Sequence, residues 1–301
     1  MGRLTAIVLG AAAGGGYPQW NCRCAVCCLA WAQDKRVKAR TQASVAVSAD
    51  GVHWILLNAS PDLRAQVQAT PALQPRAEPR DSPIAVVILT GAEVDQIAGL
   101  LSLRERHDFS IIATAETVAA LSANPIFGVL GAGIVARKSV ARGEPFFLPG
   151  GVSAELFAVP GKVALYLESE NPALAAESGA NVGVELVYGS RRLAYVPGAA
   201  GITTEMHTRL ARADVIFFDG TLFVEDEMIL SGTGDKTGRR MGHMPLDGED
   251  GTLAALAGLA GRRILTHINN TNPILIEGSV ERRKVEAAGF EIAEDGMEIV
   301  L

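Results

Sequence analysis

Histidine is scarce in this sequence, with five residues in a chain of 301. That count caps any imidazole-based metal site, because a two-metal hydrolytic centre draws on about five or six His and Asp ligands. A basic excess is also missing. Lys and Arg number 27 against 33 Asp and Glu, for a net charge of −6, which excludes a general nucleic-acid binder that works by displacing phosphate counterions. Aromatic residues make up only 5%, so the positive mean hydropathy of +0.22 comes from small and aliphatic residues. Nowhere does an apolar run reach the ~18 residues of a membrane span. Residues 4–9 read as a buried strand, and the apolar stretch 4–13 breaks at Gly14-Gly15-Gly16; the charged region before it is too slight for a signal peptide, and a cytoplasmic protein is expected. What the chain does have is core-forming material, 49% hydrophobic against 20% charged residues, which argues against disorder.

Local patterns divide the chain into two similar halves, 1–150 and 151–301. Strands are predicted at 4–10, 44–49 and 52–59, the last two joined by the hairpin signal Asp50-Gly51. A helix is predicted from Pro61 with Ser60 as its N-cap, followed by a proline- and charge-rich surface loop over 70–83. The apolar stretch 84–90 predicts a strand covered on both faces, and 94–106 predicts a helix. A strand at 109–114 and a helix at 117–123 precede a Gly- and Pro-rich break at 143–151. Beyond the break the order recurs. Paired strands at 153–168 and 182–197 turn at Gly189-Ser190, and then come helix 203–212, strand 215–218, helix 253–259, strand 263–267 and helix 280–288, which leads into a closing hairpin. Strands first and strand–helix alternation after, twice over, predict an α/β fold of the αββα sandwich type. Two mixed sheets lie face to face with outer helices, in a single domain spanning 1–301.

All four cysteines, Cys22, Cys24, Cys27 and Cys28, fall within seven residues. A disulfide framework would spread them out. Close spacing on a turn instead lets Cys22, Cys24 and Cys27 converge on one structural zinc ion, with Cys28 pointing away and a fourth ligand drawn from elsewhere in the chain.

Reactive groups in layered α/β folds collect at the carboxyl ends of strands. Those ends carry Glu93, Asp95 and Gln96 after 84–90, Asp219-Gly220-Thr221 after 215–218, and His267-Ile268-Asn269-Asn270 after 263–266. His243 follows the Gly- and Arg-rich loop 231–240. The string Leu89-Thr90-Gly91-Ala92-Glu93-Val94-Asp95-Gln96-Ile97-Ala98-Gly99-Leu100 resembles the metallo-β-lactamase superfamily segment Leu-Thr-His-x-His-x-Asp-His-x-x-Gly-Leu. Asp95 is retained, while Gly91, Glu93 and Gln96 stand at three histidine positions. Leu265-Thr266-His267 resembles the superfamily's final metal-ligand strand, and residues 192–198 resemble the strand that normally delivers a bridging Asp, which is missing here. Longer strings, Pro18-Gln19-Trp20-Asn21-Cys22 and His267-Ile268-Asn269-Asn270-Thr271-Asn272-Pro273-Ile274-Leu275 among them, resemble a divergent branch of that superfamily concerned with pyrroloquinoline quinone (PQQ) biosynthesis. Matching blocks run from residue 12 to residue 275.

The resemblance implies a metallo-β-lactamase-like fold and a role in making PQQ. With three motif histidines and the bridging Asp gone, a binuclear hydrolytic site is not expected, and His53, His107 and His207 do not stand at replacement positions. What remains suits one iron ion, Fe(II), with Asp95, Asp219 and His267 as core ligands and His243 as a further ligand or an acid–base group. Glu93 and Gln96 would assist, while Lys236, Arg239 and Arg240 on the 231–240 loop would meet carboxylates of an acidic substrate. The function expected is an iron-dependent oxygenase or hydroxylase acting on a tyrosine-derived dipeptide intermediate. One alternative is a non-catalytic carrier of PQQ or its precursor towards the periplasm, and a second is a residual metal-dependent hydrolase. The partner expected is small-molecule PQQ or a precursor, with no nucleic acid and no membrane insertion; a homodimer is left open.

Overall fold

The computed structural model describes residues 2–77, 79–168 and 178–301. Its strands, in chain order, are β1 (Thr5–Gly10), β2 (Ser44–Ser48), β3 (Trp54–Leu57), β4 (Ile84–Ile88), β5 (Phe109–Ala113), β6 (Val135–Ser139), β7 (Phe146–Phe147), β8 (Ser153–Ala158), β9 (Val182–Tyr188), β10 (Arg191–Val196), β11 (Val215–Asp219), β12 (Arg262–Thr266), β13 (Phe290–Ile292) and β14 (Glu298–Val300). The α-helices are α1 (Ala25–Trp31), α2 (Leu63–Ala69), α3 (Val94–Ile97), α4 (Ala115–Ala123), α5 (Thr204–Leu210), α6 (Glu227–Leu230), α7 (Gly238–Met241), α8 (Thr252–Ala255) and α9 (Val280–Ala287).

Two seven-stranded sheets result, in the orders β14-β1-β2-β3-β4-β5-β6 and β13-β12-β11-β10-β9-β8-β7. Each is mixed in the same way. Antiparallel pairing runs from β14 to β3 and from β7 to β10, and parallel pairing runs from β3 to β6 and from β10 to β13. The Gly- and Pro-rich break falls where the chain leaves the first sheet at β6 and enters the second at β7.

Strand periodicity explains the layers, since successive side chains point to opposite faces. On β3, Ile55 and Leu57 face the space between the sheets, while Trp54 and Leu56 face outward. On β11, Phe217 points in and Ile216 and Phe218 point out. The inner layer joins Val47, Ile88, Leu186, Tyr195 and Ile264. The outer layers pack Leu63 and Leu121 on the first sheet and Met206, Leu210 and Val285 on the second. Burying each such aliphatic or aromatic side chain contributes roughly 1.5–3 kcal/mol, so the αββα sandwich follows from sequence pattern.

Several local expectations are corrected. Ser60 does not cap α2. Asp62 occupies that position, while the Ser60 hydroxyl donates to Gln66 Oε1. The helix expected over 94–106 is α-helical only from Val94 to Ile97 and tightens into a 3₁₀ helix over Ala98–Leu103. The cause is a long-range contact: a Cβ on Gly99 would lie 2.1 Å from the Ser60 carbonyl oxygen. Gly99→Ala is therefore expected to cost about 1–3 kcal/mol or more, read as a lowered denaturation midpoint at unchanged slope. The strand expected over 153–168 stops at Ala158, because Pro160 cannot continue a ladder. Helix 253–259 shortens to Thr252–Ala255. The closing hairpin does not form: β13 joins the second sheet beside β12, and β14 joins the first beside β1. Strand β6 is an element that the sequence patterns did not reveal.

Candidate metal centres and active-site pocket

Helix α1 opens on Cys24, whose sulfur accepts a hydrogen bond from the Cys27 amide. This one turn, with Cys22 just before it, brings the sulfurs of Cys22, Cys24 and Cys27 within 4.8 Å of one another. Cys28 turns away to the Arg23 carbonyl. Across the cluster lies Asn270, whose side-chain amide nitrogen is 3.2 Å from Cys22 Sγ and 3.3 Å from Cys27 Sγ; its main-chain carbonyl oxygen is 3.6 Å from Cys24 Sγ. Burial pushes the Cys27 thiol up to about 12 and raises Cys24 as well. Three sulfurs facing one amide group fit a soft, tetrahedral cation.

A second constellation gathers where the carboxyl ends of the parallel strands meet. Strand β11 ends on Asp219, fully buried, and Gly220 follows because a Cβ there would meet Leu265 Cβ at 3.0 Å. His267 sits just beyond β12 in the left-handed region at φ 56°, a conformation that costs about 1–3 kcal/mol and persists where the surroundings over-determine it. Here they do so through bonds from the Ile268 amide to Ala11 and from the Asn269 amide to Thr221, both to carbonyl oxygens. His267 Nε2 is 2.8 Å from Asp95 Oδ2, and His243 Nδ1 is 2.7 Å from Asp219 Oδ2. The two rings stack at 5.1 Å. The Thr221 hydroxyl ties the group together, donating to Asp219 Oδ1 at 2.6 Å and lying 2.8 Å from His267 Nδ1 and 3.1 Å from His243 Nδ1.

Charge balance holds this cluster. Burial alone would push both carboxyls up, yet the imidazoles beside them leave Asp95 and Asp219 below the usual carboxylate range. Burial would likewise lower His267, but Asp95 and Asp219 outweigh it and raise the imidazole. The cluster is thus a buried seat for positive charge. Donor atoms of Asp219, His243 and His267 lie within 4.8 Å of one another, so a cation fits the residues present.

Asp95, Thr221, His243 and His267 open onto a pocket of about 190 Å³ lined also by Glu93, Gln96, Lys162, Asn181, Met228, Met241 and Asn269, with Asp219 buried behind them. Glu93 and Gln96 both reach its wall with their polar atoms already engaged. Gln96 accepts from the Glu93 amide and donates to Thr90, closing a capping box at the start of α3. The Glu93 carboxylate takes Lys162 Nζ at 2.9 Å. Lys236, Arg239 and Arg240 are not among the lining residues. Arg239 pairs with Glu225, and Arg240 reaches Glu168, which also holds Lys162. Among the described residues the lysine or arginine on the wall is Lys162, which the sequence reading missed because it placed residue 162 inside the strand expected over 153–168. Of the other histidines, His53 pairs with Asp50 at the surface and His107 binds the Ile84 carbonyl, while His207 lies in α5. A larger groove of about 1070 Å³ lies against α2, lined by Arg64, Arg80 and His107, away from both clusters.

Comparison with known proteins matches residues 53–268 to the β-lactamase superfamily domain. "Coenzyme PQQ synthesis protein B" of Methylobacterium nodulans is 53% identical over 99% of this chain and 100% of its own. The protein of that name from Gluconacetobacter diazotrophicus is 51% identical over 97% and 98%. Among solved structures, zinc-bound PqqB from Methylobacterium extorquens superposes with a TM-score of 0.97 at 51% identity, covering 99% of this chain and 100% of that one. A diphosphatase of the PhnP family shares the fold, with a TM-score of 0.68 at 22% identity over 99% and 97% of the two chains.

Proposed function

The chain belongs to the coenzyme PQQ synthesis protein B family, a branch of the β-lactamase superfamily and of PQQ biosynthesis, and from that premise we propose that it is an iron-dependent hydroxylase of a tyrosine-derived dipeptide intermediate. The observation that carries this reading is the donor set. Two stacked imidazoles and a partly buried Asp95 line one small pocket with the fully buried Asp219 behind them, while the motif positions that would serve a second metal are Gly91, Glu93 and Gln96. A mixed set of imidazole and carboxylate donors suits a single Fe(II) with open positions. Asp95, Asp219 and His267 are the ligands in this reading, with His243 a further ligand or an acid–base group. Iron(II), when bound, supplies the one-electron chemistry that reaction with dioxygen requires.

The protein's own residues supply the rest. Asp219 holds the His243 Nδ1–H, which leaves Nε2 as the atom that takes or gives a proton. Lys162 keeps its charge, because Glu168 and Glu93 outweigh the effect of burial, and it meets a substrate carboxylate. Met228 and Met241 offer soft apolar contact to a ring. The Cys22, Cys24 and Cys27 thiolates hold a structural zinc, as suits a family whose M. extorquens relative binds that ion, and Asn270 completes the set. We further take residues 1–301 to work as one domain.

Protein reconstituted with Fe(II) and supplied with a two-electron reductant such as ascorbate, which takes the second oxygen atom to water, should consume dioxygen in the presence of a tyrosine-containing acidic dipeptide and yield a product heavier by one oxygen atom, as followed by electrode and mass spectrometry. An oxygen-uptake rate equal in the parent and in His267→Asn would sink the reading. Stoichiometric PQQ binding that survives removal of the second metal would favour a carrier instead.

A further inference from the structure

One buried acid has no part in the chemistry above. Glu227, at the start of α6, is 6% exposed, and its carboxyl is engaged on both sides. Oε2 accepts the Phe223 amide at 2.6 Å, and Oε1 takes the Thr271 hydroxyl at 2.5 Å. Thr271 in turn accepts from Asn269 Nδ2 at 2.6 Å, and Asn269 lines the pocket. The same Nδ2 contacts Met228 Sδ at 3.2 Å, so Oδ1 is the atom left for the pocket.

We propose that Asn269 is a specificity-determining wall of this pocket, and that Glu227, acting through the Thr271 hydroxyl, sets which atom of the Asn269 carboxamide faces the ligand. The inference rests on the pocket being the functional one. Its logic is hydrogen-bond direction. An ionised Glu227 only accepts, so Thr271 donates to it and can receive only an N–H from Asn269; the pocket then presents a carbonyl acceptor, which suits amine, amide or phenol donors. A neutral Glu227 must carry its proton on Oε1, because Oε2 is committed to the Phe223 N–H. Thr271 then donates onward, the carboxamide turns over, and the pocket presents an N–H donor suited to carboxylate or quinone oxygens.

Both states lie within reach, because burial pushes the Glu227 carboxyl up to about 7. Among the described residues, the groups facing it are the Thr271 hydroxyl and the amides of Phe223 and Val224. The pocket has its own charged groups in Glu93, Asp95, Lys162, His243 and His267, so the test needs variants that break only this chain. Glu227→Gln locks the neutral state: the Phe223 N–H claims the amide oxygen, which leaves the NH₂ to donate to Thr271. Thr271→Val cuts the link.

Side-chain ¹⁵NH₂ resonances of Asn269 are followed from pH 5 to 9, with ¹³C detection of the Glu227 carboxyl, and PQQ affinity is measured by calorimetry at pH 6 and 8. In the parent, the Asn269 signal should move with the same midpoint as Glu227, near 7. In Glu227→Gln it should hold the low-pH position throughout, and in Thr271→Val it should not follow Glu227. PQQ, rich in acceptor oxygens, should lose roughly tenfold more affinity between pH 6 and 8 in the parent than in Glu227→Gln. An Asn269 signal that ignores the Glu227 titration in the parent, or follows it unchanged in Thr271→Val, overturns the proposal. Coupled titration with identical PQQ affinities in all three proteins supports the relay and overturns instead the use of this pocket for PQQ.

Discussion

Cys27→Ser is expected to hold close to no zinc by elemental analysis, against one ion per parent chain, and to melt ten degrees or more below it. Cys27 is fully buried and shares its sulfur neighbourhood with Cys22, Cys24 and Asn270. Without the ion that neighbourhood is three thiols and an amide, which gain little from one another. Structural zinc contributes about 10–16 kcal/mol of binding free energy in small peptides. Two thirds of that, at about 1.6 °C per kcal/mol for a chain of this size, gives the expected shift. The contribution is largest where the ion closes a long loop, and in the proposed site it would bridge Cys27 and Asn270. Cys28→Ser is the control, since Cys28 Sγ contacts the Arg23 carbonyl and no other member of the cluster. Zinc retained at one per chain in Cys27→Ser would remove the assignment.

The second large effect is expected from His267→Asn. Asparagine tolerates the left-handed backbone that residue 267 adopts, so the variant removes the imidazole without forcing the chain. Asp95 loses its 2.8 Å partner, and Asp219 keeps His243 and its bonds from Thr221 and the Ala199 amide to offset its burial. Removing one partner of a buried charged pair costs about 3–5 kcal/mol. Affinity for the second metal should fall by more than the 10–100-fold typical of an outer-shell change, while zinc in the cysteine cluster is untouched. Metal titration of the zinc-loaded protein separates the two sites. Unchanged affinity for the second ion would show that His267 is no ligand.

The sheets were legible because burial on one or both faces imposes period two or an unbroken apolar run, and residues 4–10, 84–90 and 215–218 carry that imprint. The cysteine cluster, Asp95, Asp219, His243 and His267 were legible because strand ends and unusual residue types mark them. Lys162 and Asn270 were not, since a single polar residue in a loop has no period and declares its role only through what lies opposite. The break in helix 94–106 was hidden for the same reason: Gly99 looks permissive in the sequence, and only the approach of Ser60 makes it obligatory. The terminal strands were read as a hairpin because local pattern cannot tell which sheet an edge strand will join.

That division of the C-terminal strands governs how the protein is made. β1 pairs on one side with β2, some 40 residues on in the register, but on the other with β14, where Thr5 faces Val300. At ribosomal speeds of ~5–20 residues per second, β1 leaves the exit tunnel about 15–60 s before its second neighbour exists. For that interval the first sheet has an unsatisfied border of backbone amides and carbonyls, open to any passing strand. The first sheet therefore completes only after synthesis has reached residue 300, and a tag placed beyond β14 is expected to act on the step that closes that border.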